Sequence, residues 1–236
     1  MSPPPRYLRL FDVQKYREIQ PVIEGIGRRD ADTENVISLL KAAKEVTETN
    51  DFIIYNDPDK DEGYSEEMQK RIDLIQEFGI AAWFDSLDRG EHFGCDVIFQ
   101  LYSYLCCPKY QGSAYGELAI SDMTVEYEMI CYGLGICNLY LPGLLSSESL
   151  PVEILPKEMK DDGIIFSIIS RDQFPELTEA AETDIFNLRQ LDCESNSYTT
   201  ETRDECLEIY KRFNCLLNAA NSQANYMLFM EEQPDY

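Results

Sequence analysis

The sequence predicts a predominantly helical α+β fold: a single compact domain with a few short strands, closed by a long C-terminal helix. Three stretches carry that expectation. From about Thr202, apolar side chains recur at alternating four- and three-residue steps through Cys206, Tyr210, Phe213, Leu217, Ala220, Ala224 and Met227, as on a helix with one buried side. Gly163 to Ser170 (GIIFSIIS) is short, β-branched and nearly continuous in apolar character, the pattern of a buried strand. Cys95 to Ser147 is a long apolar tract in which only Lys109 and Glu117 are charged between Val97 and Ile120, and nothing is charged from Met129 to Ser147. Exposing so much apolar surface would forfeit the main driving force for folding, so this tract belongs in an interior or on a contact surface.

Taken in order, Ser2 to Pro5 reads as a proline-rich tail, so residues 1–6 are expected to be flexible and 7–236 to form the globular domain, with a candidate sub-domain boundary near 148–162. Tyr7 to Phe11 fits a first strand or the lead-in to a helix. Asp12 is a fitting N-cap for a helix carrying Val13, Tyr16, Ile19, Val22 and Ile23, which Pro21 should bend or end. Gly25-Ile26-Gly27 and the polar Arg28-Arg29-Asp30 then break the chain. A second helix is expected from about Thr33 to Thr49, with Val36, Leu39, Leu40, Ala43 and Val46 at helical spacing.

Asp51 to Tyr55 (DFIIY) reads as a strand leading into a solvated turn over Asn56–Gly63. Ser65 would cap the next helix, with Met68, Ile72, Ile75 and Phe78 on one face before Gly79. Ile80 to Leu87 is a further apolar segment, Asp88 to Gly94 a polar loop, and Val97 to Cys107 a buried helix halted by Pro108. Ala114 to Tyr132 has the spacing of another helix. Gly133 to Leu145 is apolar and irregular, and Phe174 to Leu191 is helical after Pro175.

The composition narrows function more by exclusion than by motif. With 44% hydrophobic and 11% aromatic residues over 236 positions, wholesale disorder is excluded and a substantial core is available. Forty-four acids against twenty bases give a net charge of −24, which disfavours direct binding of nucleic acid or of an anionic membrane surface. The first 29 residues are locally basic, with Arg6, Arg9, Lys15, Arg17, Arg28 and Arg29 against Asp12, Glu18 and Glu24, so the remainder is more acidic than the whole. Solubility alone accounts for such a charge; the sharper reading is an acidic surface that engages a basic protein partner. The N-terminal residues have no apolar signal-peptide core, and the uncharged run from Met129 to Ser147 is broken by Gly133, Gly135, Asn138, Pro142 and Gly143. No membrane-spanning segment is therefore expected. Eight cysteines without a C-x-x-C pair suit reduced thiols in a cytoplasmic protein.

Two constellations could carry chemistry. Asp57, Asp59 and Asp61 resemble the start of a calcium loop, but Glu62 stands where glycine is needed and Met68 where a bidentate glutamate is needed, so a solvated acidic turn is the simpler reading. The Asp85–Asp96 stretch gathers the sole histidine, His92, with Asp85, Asp88, Glu91 and Cys95. A thiolate paired with an imidazole and oriented by a carboxylate makes a nucleophile, which would suit a hydrolase or transferase. No nucleophile elbow or zinc-ligand spacing surrounds these residues, so a surface loop in which His92 faces a neighbouring carboxylate is the competing reading. Phosphate-binding glycine loops and H-E-x-x-H are absent, and no cofactor is implied. The expectation is a non-enzymatic acidic interaction protein, such as an inhibitor or an immunity or antidote protein that blocks a nuclease or another nucleic-acid-binding protein.

Overall fold

Asp12 turns the first strand into the first helix. Strand β1 (Arg6–Asp12) runs directly into α1 (Val13–Arg28), and the Asp12 carboxylate accepts hydrogen bonds from the backbone N–H groups of Gln14 (2.9 Å) and Lys15 (3.2 Å). Those are two of the donors that a helix start leaves without an internal partner, so the expected cap is the observed one. The computed structural model describes residues 6–48, 58–87, 93–107, 117–119, 140–145, 154, 156, 165–190 and 197–232. Over these residues the chain is mostly helical with a small sheet, as the sequence predicts. Arg6, assigned to the flexible tail, is the first residue of β1.

The chain divides into two compact units. One, comprising Phe11–Gly116 and Ile154–Ile164, is helical; the other, comprising Met1–Leu10, Glu117–Glu153 and Ile165–Tyr236, contains the sheet. The chain passes between units at 10–11, 116–117, 153–154 and 164–165.

In the helical unit, α1 continues through Pro21 to Arg28. A proline inside a helix costs about 3 kcal/mol. Here Pro21 lies on the exposed side, while Ile23 and Ile26 beyond it are fully buried, and each such burial is worth about 1.5–3 kcal/mol. Packing wins, and the helix does not stop at Pro21. Nor do the glycines break the helix: Gly25 and Gly27 lie in its last turns, and the break comes at Arg29 (φ 62°), whose N–H returns to the carbonyls of Gly25 and Ile26. Gly25 is needed for contact, since a Cβ there would lie 3.0 Å from the Cα and Cβ of Ala31. Arg29 also donates from Nη1 to the Ile26 carbonyl (2.8 Å) and sits 5.7 Å from the Phe84 ring centroid.

Helix α2 (Thr33–Glu48) is capped by Asp32, which accepts from the N–H groups of Glu34 and Asn35, and it buries Val36, Leu39, Leu40 and Ala43. Helix α3 (Pro58–Phe78) starts seven residues before Ser65. Proline suits a first helical position, and Asp59, Asp61 and Glu62 follow where a helix favours negative charge. The acidic turn is thus helical from Pro58 onward; Asn56, Asp57 and the strand expected at Asp51–Tyr55 lie outside the described residues. Met68, Ile72 and Ile75 are buried as expected, whereas Phe78 is exposed at the helix end before Gly79 (φ 85°). Helix α4 (Ile80–Leu87) buries Trp83, Phe84 and Leu87. Helix α5 begins at Phe93, not Val97, and runs to Cys106, packing on α1 and α2. Tyr102 of α5 closes an aromatic cluster with Phe11 and Tyr16, with ring centroids 5.6–6.2 Å apart, and its hydroxyl donates to the Ile154 carbonyl at 2.9 Å. The buried guanidinium of Arg71 on α3 donates to Gln100 on α5 (2.8 Å) and pairs with Glu67, so its charge is not left uncompensated.

The other unit holds a four-stranded sheet of order β2-β1-β4-β3. Strand β2 (Glu117–Ala119) pairs antiparallel with β1 in the register Tyr7↔Ala119, Leu8↔Leu118, Arg9↔Glu117. It falls inside the stretch expected to be a helix over Ala114–Tyr132. Pairing with an existing strand overrides a helical spacing at these three residues, and Ile120 to Leu139 lie outside the described residues. Helix α6 (Leu141–Leu144) is a single turn in the segment expected to be irregular. Strand β3 (Ile165–Ile169) confirms the strand read from GIIFSIIS, and α7 (Phe174–Arg189) the helix after it.

The last helix, α8 (Ser197–Ser222), buries Cys206, Tyr210, Phe213, Leu217 and Ala220, but Ala224 and Met227 are not part of it. Arg171 ends it: its Nη2 donates to the carbonyls of Ala220, Asn221 and Gln223 at 2.8–2.9 Å, capturing groups that a further turn would need. A turn then leads into β4 (Tyr226–Glu232), antiparallel to β3 from Ile165↔Glu232 to Ile169↔Leu228. The apolar run Tyr226-Met-Leu-Phe-Met is thus a strand that the helical spacing concealed.

Leu217 is 3% exposed in the middle of the α8 stripe. Leu217→Ala should lower the unfolding free energy by about 2–5 kcal/mol through lost burial and a cavity. Glu208→Ala, on the exposed side, should stay within about 0.5 kcal/mol. Urea midpoints of the two variants compare them directly; equal midpoints would place the stripe against solvent.

Candidate functional site

The short helix α6 starts without a side-chain cap of its own, because Tyr140 occupies the cap position in a helical conformation. The missing acceptor comes from α7. Asp184, fully buried, accepts from the backbone N–H of Tyr140 (2.8 Å to Oδ1, 3.0 Å to Oδ2) and from that of Leu141 (2.9 Å to Oδ2). Tyr210 of α8 donates its hydroxyl to the same Oδ2 at 2.7 Å. One carboxylate thus fastens α6, α7 and α8 together, and a buried charge with that many donors is compensated.

This anchoring shapes an open cleft of about 650 Å³ between α6 and α7, lined by Tyr140, Gly143, Leu144, Glu176, Glu179, Ala180 and Thr183. Its lining is mostly apolar, and its charged groups, among the described residues, are the two glutamates. Neither Glu176 nor Glu179 has an ion-pair partner among the described residues. Tyr140 is 55% exposed although its backbone is held by Asp184. Phe186, 63% exposed, follows Thr183 by three residues and Glu179 by seven, so it continues the same side of α7.

The residues singled out by sequence fare differently. Asp85 lies on α4 and is exposed; Asp88, Glu91 and His92 lie outside the described residues, and Cys95 is placed only as part of the first turn of α5. Asp59 and Asp61 are helical in α3, which is not the loop a calcium site of this type requires, and Asp57 is outside the described residues. Among the described residues no group of three or more histidine, cysteine or acidic side chains could hold a metal ion. No helix of the described residues is long and apolar enough to cross a membrane. Among the described residues Cys106, Cys107, Cys206 and Cys215 form no disulfide, and burial, reinforced by Cys107 and Asp12, pushes the Cys106 thiol far above its ordinary range, the reverse of nucleophile activation.

Reading by residue type missed Asp184, Tyr140 and the cleft glutamates. Asp184 had a signal: Leu177, Ala180, Ala181 and Leu188 form the buried stripe of α7, and Asp184 stands on it, four residues after Ala180 and four before Leu188. An acid at a core position needs donors. No protein-family model, curated protein or solved structure matches the chain.

Asp184→Asn keeps the shape but turns an amide N–H₂ toward groups that are themselves donors. It should cost about 1.5–3 kcal/mol, the worth of a hydrogen bond to a charged group, against about 1 kcal/mol for Tyr210→Phe, which leaves both backbone donors in place. Thermal melts of the two variants rank them, and Asp184→Asn proving no worse than Tyr210→Phe would contradict the anchoring role.

A second expectation concerns alkali. Burial raises the Tyr102 hydroxyl well above 10.0 and raises Tyr16 too, with Glu24 adding to the latter, while Cys106 is raised from 9.0. The unfolded chain therefore gives up these protons first. Their contribution to stability is complete below pH 9 and is lost as pH rises beyond the ordinary thiol and phenol values. Denaturant midpoints should fall steadily above that pH, and Tyr102→Phe should flatten the part of the fall above pH 10. A midpoint unchanged up to the onset of global unfolding would argue against these shifts.

Proposed function

We propose that this chain is a non-enzymatic acidic interaction protein that engages a basic protein partner, acting as an inhibitor or antidote that blocks a nuclease or another nucleic-acid-binding protein. The supporting observation is the α6–α7 cleft, an apolar trough with an exposed tyrosine and two carboxylates as its charged lining, on a chain of net charge −24. Tyrosine is enriched at protein contact surfaces. A field of this sign steers a basic protein toward the surface and repels phosphate, so it selects the protein and not its nucleic acid. A cytoplasmic setting belongs to the same reading, because Cys106, Cys107, Cys206 and Cys215 form no disulfide among the described residues.

Salt dependence tests this. The partner is isolated with the chain from the native host at low ionic strength, identified, and recombined with the pure chain. Exposed charges are screened over about 8 Å at physiological salt. The association rate should therefore fall by about tenfold or more between low and physiological ionic strength. Reversing exposed acids, for example Glu179→Lys with Glu182→Lys, should slow association further, while His92→Ala and Cys95→Ala leave it unchanged. Loss of host function confined to the His92 and Cys95 variants would instead establish the enzyme reading built on the Asp85–Asp96 stretch.

A further inference from the structure

We infer that the cleft between α6 and α7 is an arginine socket, which takes an arginine-bearing segment of the basic partner; this rests on the reading proposed above and names its point of contact. Its volume of about 650 Å³ is that of a site for a short segment and not for a single small ion. The two carboxylates on its α7 wall, Glu176 and Glu179, are uncommitted among the described residues, so a cation entering the cleft displaces no existing ion pair.

Arginine fits this chemistry better than lysine. The guanidinium is planar and weakly hydrated: it pairs with a carboxylate through two parallel N–H groups and stacks on an aromatic face, whereas an ammonium is a compact, strongly hydrated charge. Tyr140 supplies the face. Its ring is exposed, while its backbone N–H is fixed to both oxygens of Asp184, so the backbone that carries the ring has little freedom to lose on binding. Leu144 and Ala180 offer the apolar surface for the arginine stem and an adjacent apolar side chain, and Phe186 extends that surface along α7.

The test uses the intact chain and two short fluorescent peptides of equal charge, one containing arginine with leucine and serine, the other with every arginine replaced by lysine. Anisotropy titrations at low and physiological salt give the affinities, and thermal melts confirm that each variant folds. The wild-type chain should prefer the arginine peptide by about tenfold, a stacking gain that lysine does not match. Tyr140→Ala should abolish that preference and Tyr140→Phe should retain it. Glu179→Gln should weaken binding about fivefold, and Glu205→Gln on the exposed side of α8 should stay within about twofold. Equal affinity for the two peptides, or a preference that survives Tyr140→Ala, overturns the socket. If binding is then still salt-dependent, the acidic-binder reading stands without it. If neither peptide binds even at low salt, both fall.

Discussion

Asp184 brings a whole carboxylate into the interior of the sheet-bearing unit, and three donors from two other helices meet it there. An isolated ion in such a place would carry a desolvation penalty of several kcal/mol; with its donors in place it becomes a directional tie among α6, α7 and α8. The consequence is local and specific. A single-turn helix is marginal by itself, since nucleation fixes several dihedrals for one hydrogen bond. α6 nevertheless has a defined start, because the acceptor its first N–H groups need comes from a helix already anchored by Phe174, Leu177, Ala181 and Leu188. The position of Tyr140, and with it one wall of the cleft, follows from that one carboxylate.

The same device recurs with the opposite sign. Arg171 gathers the carbonyls of Ala220, Asn221 and Gln223, so the end of α8 and the start of β4 are set by a guanidinium far away in sequence. Arg71 crosses from α3 to Gln100 on α5 within the helical unit. Asp184 and Arg171 supply what the local backbone lacks, and Arg71 joins two helices through their side chains. These contacts fix where elements end and which neighbours they meet, while the apolar stripes supply most of the stability.

How much of this the sequence displayed depends on how local each cause is. Asp12 as a cap, the α2 stripe, Ile165–Ile169 as a strand and the buried side of α8 all follow from contacts within a few residues, and all were legible. The misreadings have distant causes. Helix α1 outlasts Pro21 because Ile23 and Ile26 find a core, and Glu117–Ala119 is extended because β1 offers it a ladder. Ala224 and Met227 leave the helical stripe because Arg171 takes the carbonyls before them. Helix α3 is different: Pro58 followed by acids is a legible start signal, passed over because the same polar run reads as a solvated turn ahead of a cap at Ser65. The candidate site was the least legible part. A search for catalytic residue types favoured His92 and Cys95, whereas the cleft is made of glutamates and a tyrosine that no motif distinguishes. Only Asp184, an acid on an apolar stripe, marked the place.

The charge deserves a physical reason of its own. A net charge of −24 destabilises any compact state through self-repulsion. Its exposed ion pairs, such as Lys15–Glu18 and Lys211–Glu208, are of the kind worth a few tenths of a kcal/mol each. Glu176 and Glu179 stand one turn apart on α7, an arrangement that slightly destabilises a helix, and no cation among the described residues relieves it. Solubility would be served by acids placed anywhere on the surface. It does not explain placing two of them beside an apolar trough and an exposed ring. A basic segment seated there would relieve the repulsion and cover the apolar lining in one step, so that binding and folding stability are linked. The unliganded protein keeps that arrangement because the tie at Asp184 is independent of the cleft's occupant.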